Sequence, residues 1–190
     1  DPHTAWLLSR SLETLHLRME RSQDNARVLS ERLRAHDKVT DVLVAGGGAG
    51  EQRAIFEAQC QGPGSTFSIR LKGGEAEAFR MLNALRLFKL AVSLGGSESL
   101  ASHPSSMTHS DYSSEAKGRC GIGDDLIRLS VGVENVEDLW VDLEQALAAV
   151  KAGKPVYIEK PIATDVAKAD AEAQEAARRN LVVACGHQER

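Results

Sequence analysis

RLFKLAVSLGGSESLASHPSSMTHSDYSSEAKGRCGIGDDLIRLSVGVE, residues 86–134, decides how the chain is read. Its two ends are apolar and β-branched runs, 87–93 and 126–133, bounded by glycine and aspartate, and both predict strands. Between them lies a polar segment with Ser97, Ser99, His103, Ser105, Ser106, Thr108 and His109 and few large aliphatic side chains. Hydroxyls and imidazoles at that density suit a polar ligand. Ser93 closes the first strand, and Arg128 stands inside the second, where a charge must reach the sheet edge or find an anion. A solvated or ion-paired arginine is the ordinary outcome. A planar guanidinium aimed into a pocket would instead suit a carboxylate.

Downstream, NVEDLWVDLEQALAAV predicts a helix over 135–150, with Asn135 able to cap it and acids in its first turns complementing the dipole. Glu137, Asp138, Asp142 and Glu144 are therefore helix residues. His103 and His109, six apart in a loop, lack a third ligand, and no metal site is expected. Upstream, residues 65–71 alternate Phe67, Ile69 and Leu71 with Ser68, Arg70 and Lys72, the pattern of a half-buried strand. Residues 75–85 predict a helix with Ala76, Phe79, Leu82 and Ala84 or Leu85 toward the sheet. Strand, helix, strand, polar loop, strand, helix over 65–150 predicts an α/β layer domain with helices on one face of a small sheet. The pattern leaves strand direction open.

Further upstream, VTDVLVA at 39–45 predicts a strand running into GGGAG at 46–50 and a helical EQRAIFEAQC. Strand, glycines and helix invite a dinucleotide-loop reading, but no acidic strand end follows about 20 residues on. Lys72 and two glycines stand there, and a flexible surface connection is the plainer reading. Residues 4–35 predict one long helix or two abutting ones, with an apolar stripe through Leu8, Leu12, Leu15, Met19, Val28, Leu29 and Leu33 and a charged, solvated face opposite.

At 190 residues, 42% hydrophobic and 26% charged, the chain has the composition of a globular protein with one cored domain and part of a second. A net charge of −4 without basic runs lacks the footprint of a nucleic-acid binder and leaves a small molecule as the expected partner. Cys60, Cys120 and Cys185 form no paired motif, which fits a reducing cytoplasm rather than a disulfide framework or zinc site. No apolar run approaches the roughly 20 residues that span a bilayer. The chain opens on Asp1 rather than methionine, so an excised or truncated piece is expected.

AVSLGGSESLASHPSSMTH and GIGDDLIRLSVGVENVEDLWVDLEQAL resemble the C-terminal domain of the trans-sulfuration enzymes: the pyridoxal-phosphate-dependent cystathionine γ-synthases, cystathionine lyases and methionine γ-lyases. The resemblance runs from residue 1 to about 150. It implies the C-terminal small domain of a fold-type I pyridoxal-phosphate enzyme. It also implies γ-elimination or γ-replacement on sulfur amino acids or homoserine derivatives, with pyridoxal phosphate as electron sink. Arg128 would hold the substrate α-carboxylate, Ser93 would lie beside it at the cofactor, and Thr108 would line the same site. The family's Schiff-base lysine and phosphate cradle belong to a large domain preceding these motifs, and Lys89, near Ser93, does not match the lysine motif. Little or no activity is therefore expected of this polypeptide alone. Val92 stands where several cystathionine-specific members carry Glu, which leans toward methionine γ-lyase or sulfhydrylase types. Ser11 replaces the glycine of an RGL-x-TL-like run, and the resemblance also implies homo-oligomers.

After Val150, KAGKPVYIEKP and VVACGHQER resemble the nucleotide-binding domain of the glucose-fructose oxidoreductase and inositol dehydrogenase family. Strands at 156–158 and 181–185, around an alanine-rich helix capped by Thr164 or Asp165, would make a partial Rossmann-like β-α-β unit. That resemblance implies NAD(P) as an alternative cofactor, with Lys160 as an acid/base or orienting group, Glu159 near the cofactor and His187 in the GH motif. The opening G-x-G-x-x-G and the following substrate domain are absent from this sequence. The expected division is a helical lead-in at 1–36, the trans-sulfuration domain at 37–150 and the oxidoreductase portion at 151–190. The alternative readings are an oxidoreductase fragment and a non-catalytic chimeric remnant. ALAAVKAGK fits the closing helix of either family, so the two parts can join within one helix.

Overall fold

The computed structural model describes residues 1–152 together with the backbone of residues 157–159 and 184–186. Strands β1 (Val39–Leu43), β2 (Thr66–Leu71), β3 (Lys89–Leu90), β4 (Leu100–Ser102) and β5 (Leu126–Ser130) form one sheet in the order β1-β2-β5-β4-β3. Its neighbours are antiparallel except for the β3/β4 pair, which is parallel. The helices are α1 (Pro2–Leu12), α2 (Leu15–Arg34), α3 (Glu51–Gln59), α4 (Glu75–Ala84), α5 (Ser114–Arg119) and α6 (Val136–Ala152).

Strand alternation decides which face is covered. Phe67, Ile69 and Leu71 of β2 and Ile127 and Leu129 of β5 are buried, as the two-residue period predicts. Against them pack Ala78, Met81 and Leu82 of α4, Leu139, Leu143, Ala146 and Leu147 of α6, and Ala26, Leu29 and Leu33 of α2. Each fully buried leucine contributes about 1.5–3 kcal/mol relative to exposure. The other face carries Ser68, Ser102, Arg128 and Ser130, set side by side by the register. One face is thus the apolar core, and the other carries polar groups, of which Ser102 and Ser130 are themselves buried.

Three expectations change. Ala76 is exposed, and the buried stripe of α4 runs through Ala78, Met81 and Leu82, because the helix packs against α6 within the shared core. The stripe predicted at 4–35 is buried only from Ser22 onward; Leu8 and Leu12 are 63% and 65% exposed. The chain breaks into two helices around Glu13 and Thr14, and only the second reaches the sheet, where Asn25 donates to the carbonyls of Gly132 and Glu134. The lead-in helix therefore shares the sheet's core. The polar segment is not all loop: β4 lies within it, between β3 and β5, and the first predicted strand shrinks to two residues.

Polar groups at the helix ends tie this core together. Asn135 Oδ1 accepts the Glu137 N–H at 2.9 Å, as expected of a cap. Asp142, 5% exposed, accepts the N–H groups of Arg86, Leu87 and Phe88, fastening the connection into β3. Glu77 accepts the Gly74 N–H at the start of α4, and that bond is the main reason its carboxyl stays below the usual range. Arg32 grips Glu137 through both guanidinium nitrogens, holding Glu137 low and its own pKa high.

The GGGAG run leads from β1, an edge strand antiparallel to β2. A dinucleotide loop needs a parallel β-α-β unit, so this run does not have that context. Nor is it only a relaxed connection, since Gly46 has φ +73° and the Phe56 ring packs where a Cβ would stand. Helix α6 continues unbroken to Ala152, across the expected boundary at 150. Beyond it, β6 (Tyr157–Glu159) and β7 (Ala184–Gly186) pair in parallel, with Glu159 opposite Gly186. Lys160, His187, Thr164 and Asp165 lie outside the described residues, as does the helix expected between the strands.

Candidate active-site face around Arg128

The VSLGGSES turn is fastened to the end of β5 by the residues that follow Arg128. Ser130 Oγ accepts the Gly95 N–H at 3.0 Å, and the Ser97 carbonyl accepts the Val133 N–H at 3.0 Å. Glu134 takes the N–H and hydroxyl of Ser99 at 2.7 and 2.9 Å, while Ser99 Oγ accepts the Gly132 N–H at 2.9 Å. Gly132 fits only as glycine: a Cβ there would meet the Ser97 carbonyl oxygen and lie 2.7 Å from the Glu98 carbonyl carbon. The two sequence motifs thus fold as one unit.

That unit delivers Ser93 to Arg128. Arg128 Nη2 donates to the carbonyls of Val92 and Ser93 at 2.7 and 3.0 Å. Register places Ser68 on one side of Arg128 and Ser102 on the other, all on the face opposite the apolar core. No carboxylate pairs with this guanidinium among the described residues. Two atoms here are buried without a hydrogen-bond partner, Arg128 Nε and Ser102 Oγ. Such a group costs about 1–3 kcal/mol when left unmet, so a pair of them in adjacent strands marks an unfinished polar site. Backbone carbonyls fix one corner of a planar, permanently charged fork, and a carboxylate is the complementary shape for the rest.

Thr108 is not brought to this pair. It is exposed, and its hydroxyl lies 2.8 Å from His109 Nδ1 and 3.4 Å from the Pro104 carbonyl, with no bond to Ser93 or Arg128. Most of the polar segment binds itself rather than awaiting a ligand. His103 is fully buried, 2.9 Å from the Asp124 carbonyl through Nε2 and 2.8 Å from Ser106 Oγ through Nδ1. A carbonyl only accepts, so Nε2 carries a proton. Ser105 donates to Asp124, and the Phe79 ring meets His103 edge-on at 5.0 Å. Among the described residues, no three His, Cys, Asp or Glu side chains gather as a metal site. Sequence reasoning missed Ser68 and Ser102. The alternation that puts Ser68 outward was readable, whereas Ser102 required knowing that β4 exists.

A family profile described as "Cys/Met metabolism PLP-dependent enzyme" matches residues 1–148. The chain belongs to that family. It is 46% identical over 150 residues to an L-methionine gamma-lyase of Pseudomonas deceptionensis, an alignment covering 79% of this chain and 38% of that protein. Among solved structures, a cystathionine gamma lyase from Micromonospora echinospora matches with TM-score 0.70 and 48% identity, over 75% of this chain and 37% of that one. A cystathionine gamma synthase from Xanthomonas oryzae, in complex with aminoacrylate and cysteine, matches with TM-score 0.73 and 42% identity, covering 80% and 39%. The chain therefore spans less than two fifths of the length of these relatives. A second profile, "Oxidoreductase family, NAD-binding Rossmann fold", matches residues 129–187 and overlaps the first across α6.

Pyridoxal phosphate is the family's cofactor. The described residues fit a substrate carboxylate better than they fit this group. Lys38, Lys89 and Lys117 each donate to a backbone carbonyl, of Leu147, Arg86 and Ser105 respectively, and Lys72 stands exposed at the end of β2. The first three amines are thus engaged with the backbone, and none donates to a group at the Arg128 site. No catalytic step through the cofactor follows from these residues.

Proposed function

We propose that this chain is the C-terminal domain portion of a trans-sulfuration enzyme acting by γ-elimination or γ-replacement on a sulfur amino acid or a homoserine derivative. Arg128 binds the substrate α-carboxylate, Ser93 presents its backbone at the same place, and Thr108 stands farther out on the rim. The observation that carries the reading is the Arg128 guanidinium itself, anchored through Nη2 to two carbonyls yet without a carboxylate partner among the described residues. A permanently charged fork held in place and left unneutralised fits an anionic ligand. Val92 and Leu94 flank Ser93, 53% and 56% exposed, and two apolar side chains beside the carboxylate site favour a substrate whose far end is uncharged, unlike the distal amino-acid group of cystathionine. Methionine γ-lyase-type chemistry is accordingly preferred to cystathionine-specific chemistry.

By itself the polypeptide has little or no catalytic activity, because its described lysines do not meet Arg128. Incubation with pyridoxal phosphate and borohydride, followed by peptide mass analysis, tests this. No stoichiometric phosphopyridoxyl adduct is expected, and one lysine fully modified would overturn the statement. The exposed, unpaired Cys60 and Cys120 are in keeping with a reducing cytoplasm. The exposed Leu8 and Leu12, one turn apart on α1, support assembly against further protein surface. A nicotinamide role for Glu159, Lys160 and His187 has less support, resting on the shorter profile match and the parallel β6/β7 pair.

A further inference from the structure

Two side chains on the face opposite the apolar core share one anomaly. Arg128 Nε is a buried donor with no acceptor, and Ser102 Oγ, on a residue with no solvent exposure, is a buried hydroxyl with no partner. The register of β4 against β5 sets Ser102 directly opposite Arg128, so both project from the same side of neighbouring strands. Cross-strand partners of this kind have Cβ atoms about 4.5–5.5 Å apart, within reach of a hydrogen bond after a modest turn of the arginine. Ser130 takes the Gly95 N–H and Ser99 is held by Glu134, while Ser68, opposite Arg128 from β2, is only half-buried and so lacks the enclosure of Ser102.

We propose that Ser102 is a positioning residue for Arg128. Its Oγ accepts the Arg128 Nε–H when the guanidinium turns to meet a carboxylate, fixing the guanidinium plane while the Nη1 N–H groups, which neither carbonyl uses, bind the ligand. Nη2 is pinned by the carbonyls of Val92 and Ser93, so a second anchor at Nε leaves the guanidinium a single orientation. Without it the plane is free to rock about one anchored corner, and the Nη1 contacts to the carboxylate are misaligned for part of the time. The inference rests on Arg128 holding the substrate carboxylate.

The test follows the Arg128 Nε–H signal by nuclear magnetic resonance in the full 190-residue chain, assigned by its disappearance in Arg128→Lys. The probe is L-norleucine, an α-amino acid of methionine's length with no sulfur leaving group. In the unaltered chain the signal shifts with added probe. In Ser102→Ala the dissociation constant rises about five-fold, the size of one hydrogen bond, and the Nε–H shift shrinks. Ser102→Thr, which keeps the hydroxyl, restores both. An unchanged backbone amide spectrum establishes that the variants are folded; should Ser102→Ala fail to fold, Ser102→Cys, similar in volume and a weak acceptor, takes its place. Equal affinity and equal Nε–H shifts with and without the hydroxyl overturn the role of Ser102 and leave Arg128 as the carboxylate site. A probe that never moves the Arg128 signal in the unaltered chain overturns the carboxylate site, and the role of Ser102 with it.

Discussion

Arg128 reaches Ser93 through the peptide and not through the hydroxyl, with Nη2 3.0 Å from the Ser93 carbonyl oxygen and 2.7 Å from that of Val92. The backbone contact is independent of the Ser93 side chain. Ser93→Ala is therefore expected to leave stability within about 0.5 kcal/mol. Arg128→Leu releases the turn and is expected to cost about 1.5–3 kcal/mol, the range for hydrogen bonds to a charged group. Urea denaturation of both variants checks this, and an Arg128→Leu midpoint equal to that of Ser93→Ala would contradict it.

How far the sequence could be read follows from where local pattern decides burial. Phe67, Ile69 and Leu71 announce their strand because alternation and burial coincide, and Asn135 announces a helix start because capping is local. The pairing of Ser93 with Arg128 was legible only through the resemblance of the two motifs, since 35 residues separate them. The β4 strand was hidden because Leu100–Ser102 is flanked by Ser99 and His103, polar residues that are themselves fully buried. They are matched by Glu134, Ser106 and Asp124, partners that no short window reveals. The reverse failure occurs at Leu8 and Leu12, where a helical stripe is present but the described residues leave it exposed. Period reports an amphipathic face and does not report its occupant.

Gly132 is expected to be the least replaceable of the glycines beside the site. A Cβ there meets the Ser97 carbonyl oxygen, the Glu134 carboxylate and the Glu98 backbone, and two of those three are main chain with little room to move. Gly132→Ala should cost about 1–3 kcal/mol or more and displace the turn that carries Ser93. Gly48→Ala, where nothing lies within 4 Å, is the matched control and should be close to neutral. Thermal midpoints of the pair distinguish a steric requirement at Gly132 from a general cost of replacing glycine.

Asp142 holds three backbone N–H groups with two carboxylate oxygens, one from Arg86 on Oδ1 and those of Leu87 and Phe88 on Oδ2. A carboxamide in its place would keep one acceptor oxygen and turn an amide donor toward an N–H. Asp142→Asn is thus expected to leave at least one buried N–H unmet and to cost about 1–3 kcal/mol. Because the loss falls on the connection into β3, hydrogen exchange of the Arg86, Leu87 and Phe88 amides should accelerate before that of β2. Uniform acceleration across the sheet would instead point to global destabilisation.

Acid should weaken the fold through Glu77 before it reaches the core. The Gly74 N–H, then the Glu77 backbone N–H and Arg80, hold the Glu77 carboxyl below its ordinary value of 4.5, against the opposing effect of burial. A folded pKa below the unfolded one means that the unfolded chain binds the proton more readily, so stability falls as pH falls. The contribution is fully present above about 4.3, the unfolded reference, and is lost as pH drops through the lower folded value. Glu137 acts with the same sign through Arg32, whose own raised pKa keeps it charged across this window. Glu77→Gln retains an acceptor for Gly74 but does not titrate, so its stability should decline less steeply below pH 4.5 than that of the unaltered chain. At pH 7, Glu77→Ala should cost about 0.3–1.5 kcal/mol, the usual contribution of a helix-start contact. Urea midpoints at pH 7 and between pH 5 and about pH 3 measure both, and parallel acid profiles for Glu77→Gln and the unaltered chain would remove Glu77 as a source of the acid sensitivity.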